Sequence, residues 1–167
     1  FTVDDIHEND SSFKMNPPLR DKADRQVLQQ ALEEGIIDFV STDHAPHEPS
    51  MKTRDFAAAA FGTTGLETAL RSLVYLEREK KLTPKRVASI FSSAPAEFLG
   101  ISHLIGTVEK GMKFRAALLG QKQKAYKIHH GDLASLSKNN CFIGFPLPGQ
   151  ISHVFNDAGQ FQFTNLL

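Results

Sequence analysis

The sequence predicts an α/β protein with a β-rich C-terminal segment. Three observations support this class: a helical repeat that runs straight into a short apolar stretch, two further helical repeats before residue 100, and a series of short strand-like stretches after residue 106. A helix followed at once by a buried strand is half of a β/α unit. The chain therefore divides, on pattern alone, into residues 1–105 and residues 106–167.

The N-terminal third of the chain contains the predicted helix and strand. Residues 1–21 are predicted to be a loop, because two consecutive prolines within them forbid a helix. From Asp21, the expected N-cap, apolar residues recur at helical spacing as far as Gly35, the expected C-terminal stop. The next residues, IIDFV at 36–40, are β-branched and aromatic, which predicts a buried strand.

A longer helix is predicted over residues 64–80. Thr64 is the expected N-cap, and Glu67 lies three residues later, which is the spacing of a capping box. The apolar residues that follow recur on one helical face, so this face is expected to be buried.

The next helix is predicted over residues 83–99. Thr83 is the expected cap, Pro84 occupies the first helical position, and a break is expected near Pro95. The side chains expected to face inward are Val87, Ile90, Phe91 and Leu99.

Composition and charge exclude several classes of function. Nineteen basic residues balance nineteen acidic ones, so a nucleic-acid partner or an acidic membrane surface is not expected. No apolar run approaches the roughly 18 residues of a membrane helix. Cys141 is the one cysteine in the chain, and a reducing compartment, the cytoplasm, is expected.

The segment STDHAPH, which follows the predicted strand, contains the candidate chemistry. Asp43, His44 and His47 are residue types that ligate transition metals, and an Asp beside a metal can also take a proton from water. A catalytic zinc site needs about three protein ligands. The residues alone leave two interpretations open: a polar loop that contains histidines, or part of a metal-assisted active site. Surface or core positions are expected for the other histidines, His7, His103, His129, His130 and His153.

Two further features carry weaker signals. The FGTTG segment at 61–65 precedes a predicted helix, so its amides would be able to bind an anion, although glycines that allow close packing are the default interpretation. Cys141 has no recognisable base partner, so a nucleophilic role is not expected.

Three segments together resemble the class I dihydroorotases. STDHAPHEPSMK resembles the family signature, and the matching positions are Asp43, Ala45, Pro46, His47 and Lys52. KMNPPLR at 14–20 and AFGTTGLET at 60–68 resemble two further hallmarks of the family, in the same order and at similar spacing. SLSKNNCFIGFPLPGQI at 135–151 resembles the C-terminal β segment, so the likeness spans nearly the whole chain.

This resemblance implies a zinc-dependent cyclic amidohydrolase. Such an enzyme hydrolyses dihydroorotate reversibly to N-carbamoyl-L-aspartate in pyrimidine biosynthesis, by attack of a metal-bound hydroxide. By position, Asp43 would be a metal ligand and the general acid/base. The residues implied to bind substrate are Asn16, His47, Phe61 and Gly62, the last two through their backbones. His44 occupies a variable position of the signature, so a supporting role is expected for it.

The resemblance also implies a (β/α)8 TIM-type barrel with a small flanking β domain. Residues 1–105 would be the C-terminal portion of the metal-dependent hydrolase barrel, and residues 106–167 a segment of the β domain. Such a barrel needs around 250 residues. The histidine ligands of the earlier barrel strands have no counterpart in this sequence, so the chain, beginning at Phe1, is expected to be an incomplete portion and inactive alone.

Two alternative functions remain. One is another cyclic amidohydrolase, of the hydantoinase or allantoinase type; Asn16 and His47 favour a dihydroorotase over these. The other is a non-catalytic, dihydroorotase-like subunit that serves as a scaffold for an aspartate transcarbamoylase. The resemblance implies one or two zinc ions and a homodimer for the complete enzyme.

Overall fold

Helices occupy the middle of the chain and strands its C-terminal third. The computed structural model describes residues 1–7, 10–53, 55–120 and 125–162. The helices are α1 (Lys22–Glu34), α2 (Pro49–Lys52), α3 (Ala69–Arg78), α4 (Pro84–Ala88) and α5 (Ala94–Phe98). The strands are β1 (Ala116–Leu119), β2 (Tyr126–Lys127), β3 (Pro146–Leu147), β4 (Ile151–Asn156) and β5 (Gly159–Gln162). None of the helices in this described part is long and apolar enough to cross a membrane.

The predicted N-terminal loop and the helix after it are confirmed. The described part of residues 1–21 contains only two short 3₁₀ turns. In α1, the Asp21 carboxylate accepts a hydrogen bond from the Asp24 amide at 2.9 Å, as an N-cap residue does. Gly35 ends the helix in the left-handed conformation, with φ of 84°.

The strand predicted at 36–40 is wrong. The amides of Ile36 and Ile37 bond back to the Ala31 carbonyl at 3.0 and 3.2 Å, so they close the end of α1 instead of joining a ladder. Val40 donates to the Ile90 carbonyl on a helix. A strand needs a partner strand, and in the described ranges none pairs with this segment, which leaves Ile36 71% exposed.

The helix predicted at 64–80 is shorter than expected, and its capping box is wrong. The helix α3 begins only at Ala69. The Thr64 hydroxyl instead donates to the Asn139 carbonyl at 3.3 Å, and the Glu67 carboxylate accepts from the Ser135 amide at 2.9 Å. Both side chains therefore form hydrogen bonds with the C-terminal segment, and the local sequence spacing does not predict these long-range bonds.

The helix predicted at 83–99 begins where it is expected to begin, but the predicted break near Pro95 is wrong. The Thr83 hydroxyl accepts from the Arg86 amide at 3.1 Å, as a cap should. Instead of a break near Pro95, a π-helical turn, Ser89–Ser93, joins α4 to α5 and Pro95 lies at the start of α5. Leu99, which was expected to face inward, is 64% exposed.

Two apolar clusters hold the fold together. The first contains Leu73 of α3 with Leu82, Val87 and the fully buried Ile90. The second, Ile128, Leu133 and Leu147, lies in the C-terminal segment. Burying one such side chain contributes about 1.5–3 kcal/mol, so these clusters fix α3 and α4 against each other and give the C-terminal segment a core of its own.

The β-rich C-terminal segment is confirmed. Strands β1, β4 and β5 form an antiparallel sheet in that order, and β2 pairs with β3 in a second, two-stranded sheet. The buried Arg71 of α3 connects the helical part to this region, because its guanidinium donates to the carbonyls of Pro148 and Leu147 at 3.1 and 2.6 Å.

Candidate active site

The Asp43–His47 loop and the Phe61–Gly65 loop lie side by side. His44 and Thr63 form a parallel β-bridge, and the Ala45 amide donates to the Thr63 carbonyl at 2.9 Å. The segment at 14–20 joins them, because the Gly62 amide donates to the Lys14 carbonyl at 2.8 Å. Thus three sequence motifs that are distant along the chain meet in one place.

Two glycines allow this close approach. A Cβ atom on Gly62 would lie 2.6 Å from the Ala45 Cβ, and the residue has φ of +105°. A Cβ atom on Gly65 would lie 2.8 Å from the Thr42 carbonyl oxygen. The packing interpretation of the FGTTG glycines is therefore confirmed; their amides bond within the chain, Gly62 to Lys14 and Gly65 to His44.

His47 is held at both its backbone and its ring. The Nε2 atom lies 2.7 Å from the Phe61 carbonyl oxygen, and because a carbonyl only accepts, Nε2 carries the proton. The His47 amide lies 3.2 Å from the Ser137 hydroxyl, which in turn donates to the His47 carbonyl at 2.6 Å. These contacts leave Nδ1 as the ring nitrogen turned away from Phe61.

Two buried lysines hold the loop that carries Phe61. The Lys52 ammonium donates to the carbonyls of Ala60 and Gly62 at 2.9 and 3.0 Å. Lys14 donates to the Ala57 carbonyl at 2.8 Å, and its ammonium lies 4.4 Å from the centre of the Phe61 ring. Burial, together with the nearby Lys14 charge, lowers the pKa of Lys52. Sequence reasoning had found Lys52 only as a signature position and gave Lys14 no role.

Asp43 and Asn16 present exposed side chains beside these loops. Asp43 has φ of +42°, a left-handed conformation that Asp and Asn tolerate better than most residues. Such backbone conformations cluster at functional sites. Within the described ranges no group of three or more His, Cys, Asp and Glu side chains could hold a metal ion, so Asp43 has too few partners there for the roughly three protein ligands of a catalytic zinc site.

His44 and Cys141 are supporting residues. The His44 Nδ1 accepts from the amides of Gly65 and Leu66 at 3.1 and 3.4 Å, so this nitrogen is occupied within the chain. Cys141 is buried, which raises the pKa of its thiol and disfavours the reactive thiolate. These contacts do not favour a role for His44 as a metal ligand or for Cys141 as a nucleophile. The sequence predictions for the two residues agree with this.

A C-terminal segment, residues 137–141, completes the site, and sequence reasoning missed its role. The Asn139 side chain donates to the carbonyls of Ala45 and Gly62 at 3.0 and 3.4 Å. The buried Asn140 side chain donates to the Thr64 carbonyl at 2.7 Å. The sequence does contain one sign of this role, which is the polar run SLSKNN inside a β-rich region. Where such side-chain amides are buried, they need hydrogen-bond partners.

Comparisons of sequence place these features in a family. The profile described as the amidohydrolase family matches residues 13–162. A dihydroorotase of Citrifermentans bemidjiense is 35% identical over 152 residues, covering 90% of this chain and 35% of the relative. A dihydroorotase of Lactobacillus gasseri is 37% identical over 151 residues, covering 89% of this chain and 35% of the relative. The chain thus spans about a third of the length of the curated relatives it matches.

Solved structures give a consistent result. The L-hydantoinase (dihydropyrimidinase) of Arthrobacter aurescens superposes with a TM-score of 0.86 at 28% identity, covering 92% of this chain and 35% of that chain. The D-hydantoinase of a Thermus species superposes with a TM-score of 0.73 at 27% identity, covering 86% of this chain and 32% of that chain. Since the family profile covers most of the sequence and the geometry agrees with hydantoinase structures, the chain belongs to the amidohydrolase family.

Proposed function

We propose that this chain supplies the C-terminal share of a dihydroorotase active site, which opens and closes the dihydroorotate ring. The observation that carries the proposal is the convergence of the segments around Lys14, His47 and Gly62, which are far apart in sequence. The dihydroorotases that match nine tenths of the chain support it.

The architecture proposed is the C-terminal part of a (β/α)8 barrel over residues 1–105, with residues 106–167 as part of a flanking β domain. The contact between α3 and β3 through Arg71 supports a fixed arrangement of these two parts.

Asp43 is proposed as the general acid/base and as one metal ligand. A divalent metal, zinc by expectation, supplies Lewis-acid activation of the amide carbonyl and of water when bound. The exposed Asp43 carboxylate would accept a proton from water and return it to the departing ring nitrogen. The other metal ligands are proposed to lie in a further stretch of polypeptide. That stretch would correspond to the part of the dihydroorotase relatives that lies outside the match to this chain.

His47, Asn16, Phe61 and Gly62 are proposed to bind the substrate. The hydrogen bond from the His47 ring to the Phe61 carbonyl supports a single binding site that includes both residues. The Gly62 amide donates to the Lys14 carbonyl, and the Gly62 carbonyl accepts from Lys52. A substrate that bonds the Gly62 backbone would therefore have to replace one of these hydrogen bonds or form a bifurcated one. A cytoplasmic homodimer, and an aspartate transcarbamoylase partner, are part of the same proposal.

A hydantoinase is the second candidate, because the hydantoinases of Arthrobacter aurescens and of a Thermus species superpose on this chain with TM-scores of 0.86 and 0.73. The two candidates differ in the substrate that is hydrolysed. Purified full-length protein containing these residues, loaded with zinc, should open dihydroorotate faster than hydantoin or dihydrouracil. The reverse preference would favour the hydantoinase.

The same assay tests the role of Asp43. Asp43→Asn should lower turnover by about 10²-fold or more, with little change in thermal stability, because Asn tolerates the left-handed backbone at this exposed position. The matched control is Glu33→Gln, at an exposed carboxylate on α1. Turnover of dihydroorotate by Asp43→Asn near the parent rate would refute the proposed role.

A further inference from the structure

We propose that Asn139 is a positioning residue of this site, one that fixes the His47 loop and the Gly62 loop relative to each other. This inference rests on the proposed function for its kinetic consequence, whereas its structural basis is independent of the substrate. None of the sequence motifs described above includes Asn139 among the residues that bind substrate or metal.

The first argument is the use of both side-chain atoms of Asn139. Its Nδ2 lies 3.0 Å from the Ala45 carbonyl oxygen and 3.4 Å from that of Gly62, and because carbonyls only accept, the amide nitrogen must face them. Its Oδ1 accepts from the His47 amide at 3.3 Å. One side chain therefore joins two loops that do not share a secondary-structure element.

The second argument is the use of the Asn139 backbone. Its carbonyl accepts from the Thr64 amide at 2.8 Å and from the Thr63 hydroxyl at 3.1 Å. The residue is thus anchored independently of its side chain. A change of the side chain should remove the link between the loops without releasing the segment itself.

The third argument is the neighbouring Ser137. Its hydroxyl bonds both the amide and the carbonyl of His47, at 3.2 and 2.6 Å, and it also contacts the Asn139 Oδ1. His47 is thus held at its ring by the Phe61 carbonyl and at its backbone by Ser137 and Asn139. His47 and Gly62 are both proposed to bind substrate, so loss of this support should weaken substrate binding, because the binding groups are no longer held in place in advance.

The test uses Asn139→Asp in the full-length protein. This substitution keeps the size and the Oδ1 acceptor but places a second acceptor against two carbonyls. The matched control is Asn156→Asp, where the side-chain Oδ1 accepts from the Ala158 amide, a bond that an Asp carboxylate can also accept. The first readout is KM and kcat for dihydroorotate; the second is hydrogen exchange of backbone amides, which requires no activity.

The expected result for Asn139→Asp is a KM raised about tenfold or more, with kcat within about twofold and metal content unchanged. Amides of Ala45, His47 and Gly62 should exchange faster, while those of α1 should not. Asn156→Asp should match the parent. Kinetics and amide exchange equal to those of Asn156→Asp would overturn the proposal. A fall in kcat alone, in proportion to the fraction of folded protein, would also overturn it, because such a fall indicates that Asn139 contributes only to stability.

Two other outcomes are also decisive. If the parent does not act on dihydroorotate, the proposed function fails, and amide exchange then decides the positioning role alone: unchanged exchange at Ala45 and Gly62 overturns it. If Asn139→Asp does not fold, Ser137→Ala is measured in its place. Faster exchange at His47 with a raised KM supports the proposal, and parent-like values for both overturn it.

Discussion

Replacing Gly62 by alanine tests how closely the two site loops must approach. The new methyl group would lie 2.6 Å from the Ala45 Cβ, well inside the roughly 3.5–4.0 Å of an ordinary carbon contact. The backbone at Gly62 has φ of +105°, where a residue with a Cβ is strained. Both effects act on the loop that is proposed to bind substrate.

The expected cost follows from these two terms. A left-handed backbone conformation costs a residue with a Cβ about 1–2 kcal/mol. Forcing an extra methyl group into a packed contact costs typically about 1–3 kcal/mol. Gly62→Ala should therefore lower the free energy of unfolding by about 2–5 kcal/mol, a large share of the roughly 5–15 kcal/mol of a typical domain.

Gly111→Ala provides the matched control. Gly111 has φ of +97°, but a Cβ there meets nothing within 4 Å, so only the backbone cost of about 1–2 kcal/mol should appear. Equilibrium unfolding in urea of the full-length variants, followed by circular dichroism, measures the difference. If both variants lose the same stability within about 0.5 kcal/mol, the contact between the two loops does not constrain the fold, and the reasoning is refuted.

His47→Ala and Asn16→Ala should each lower kcat/KM about tenfold to a hundredfold, which corresponds to about 1.5–3 kcal/mol for a hydrogen bond to a charged group; zinc content should not change, and loss of a full equivalent would make the residue a ligand. Thr83→Ala should cost about 0.5–2 kcal/mol in urea unfolding because a cap is lost, and unchanged stability would contradict the cap. The hydrogen bond from Arg115 lowers the pKa of Asp157 below its usual 3.8. Its stabilising effect should thus be full above that value and disappear as the pH falls through the folded-state pKa; Asp157→Asn should abolish this acid dependence in thermal unfolding, and an unaltered profile would exclude the pair as its source.

Local sequence patterns predicted the elements whose stability is local. The cap at Asp21 and the stop at Gly35 need only their own helix, and both are confirmed. The same reasoning failed at Thr64, because its hydroxyl is used by Asn139, 75 residues away along the chain. It also failed at 36–40, because a strand is stable only when another strand lies beside it.

The sequence by itself determined the amidohydrolase motifs and most of the helices and strands, because short-range spacing encodes both. Only the tertiary structure showed that the Asn139 side chain links the loops of Ala45 and Gly62, and that Lys52 holds the carbonyls on either side of Phe61. The physical reason is that buried backbone carbonyls must find donors wherever the fold provides them. Those donors come from distant segments, and no local periodicity marks them in advance.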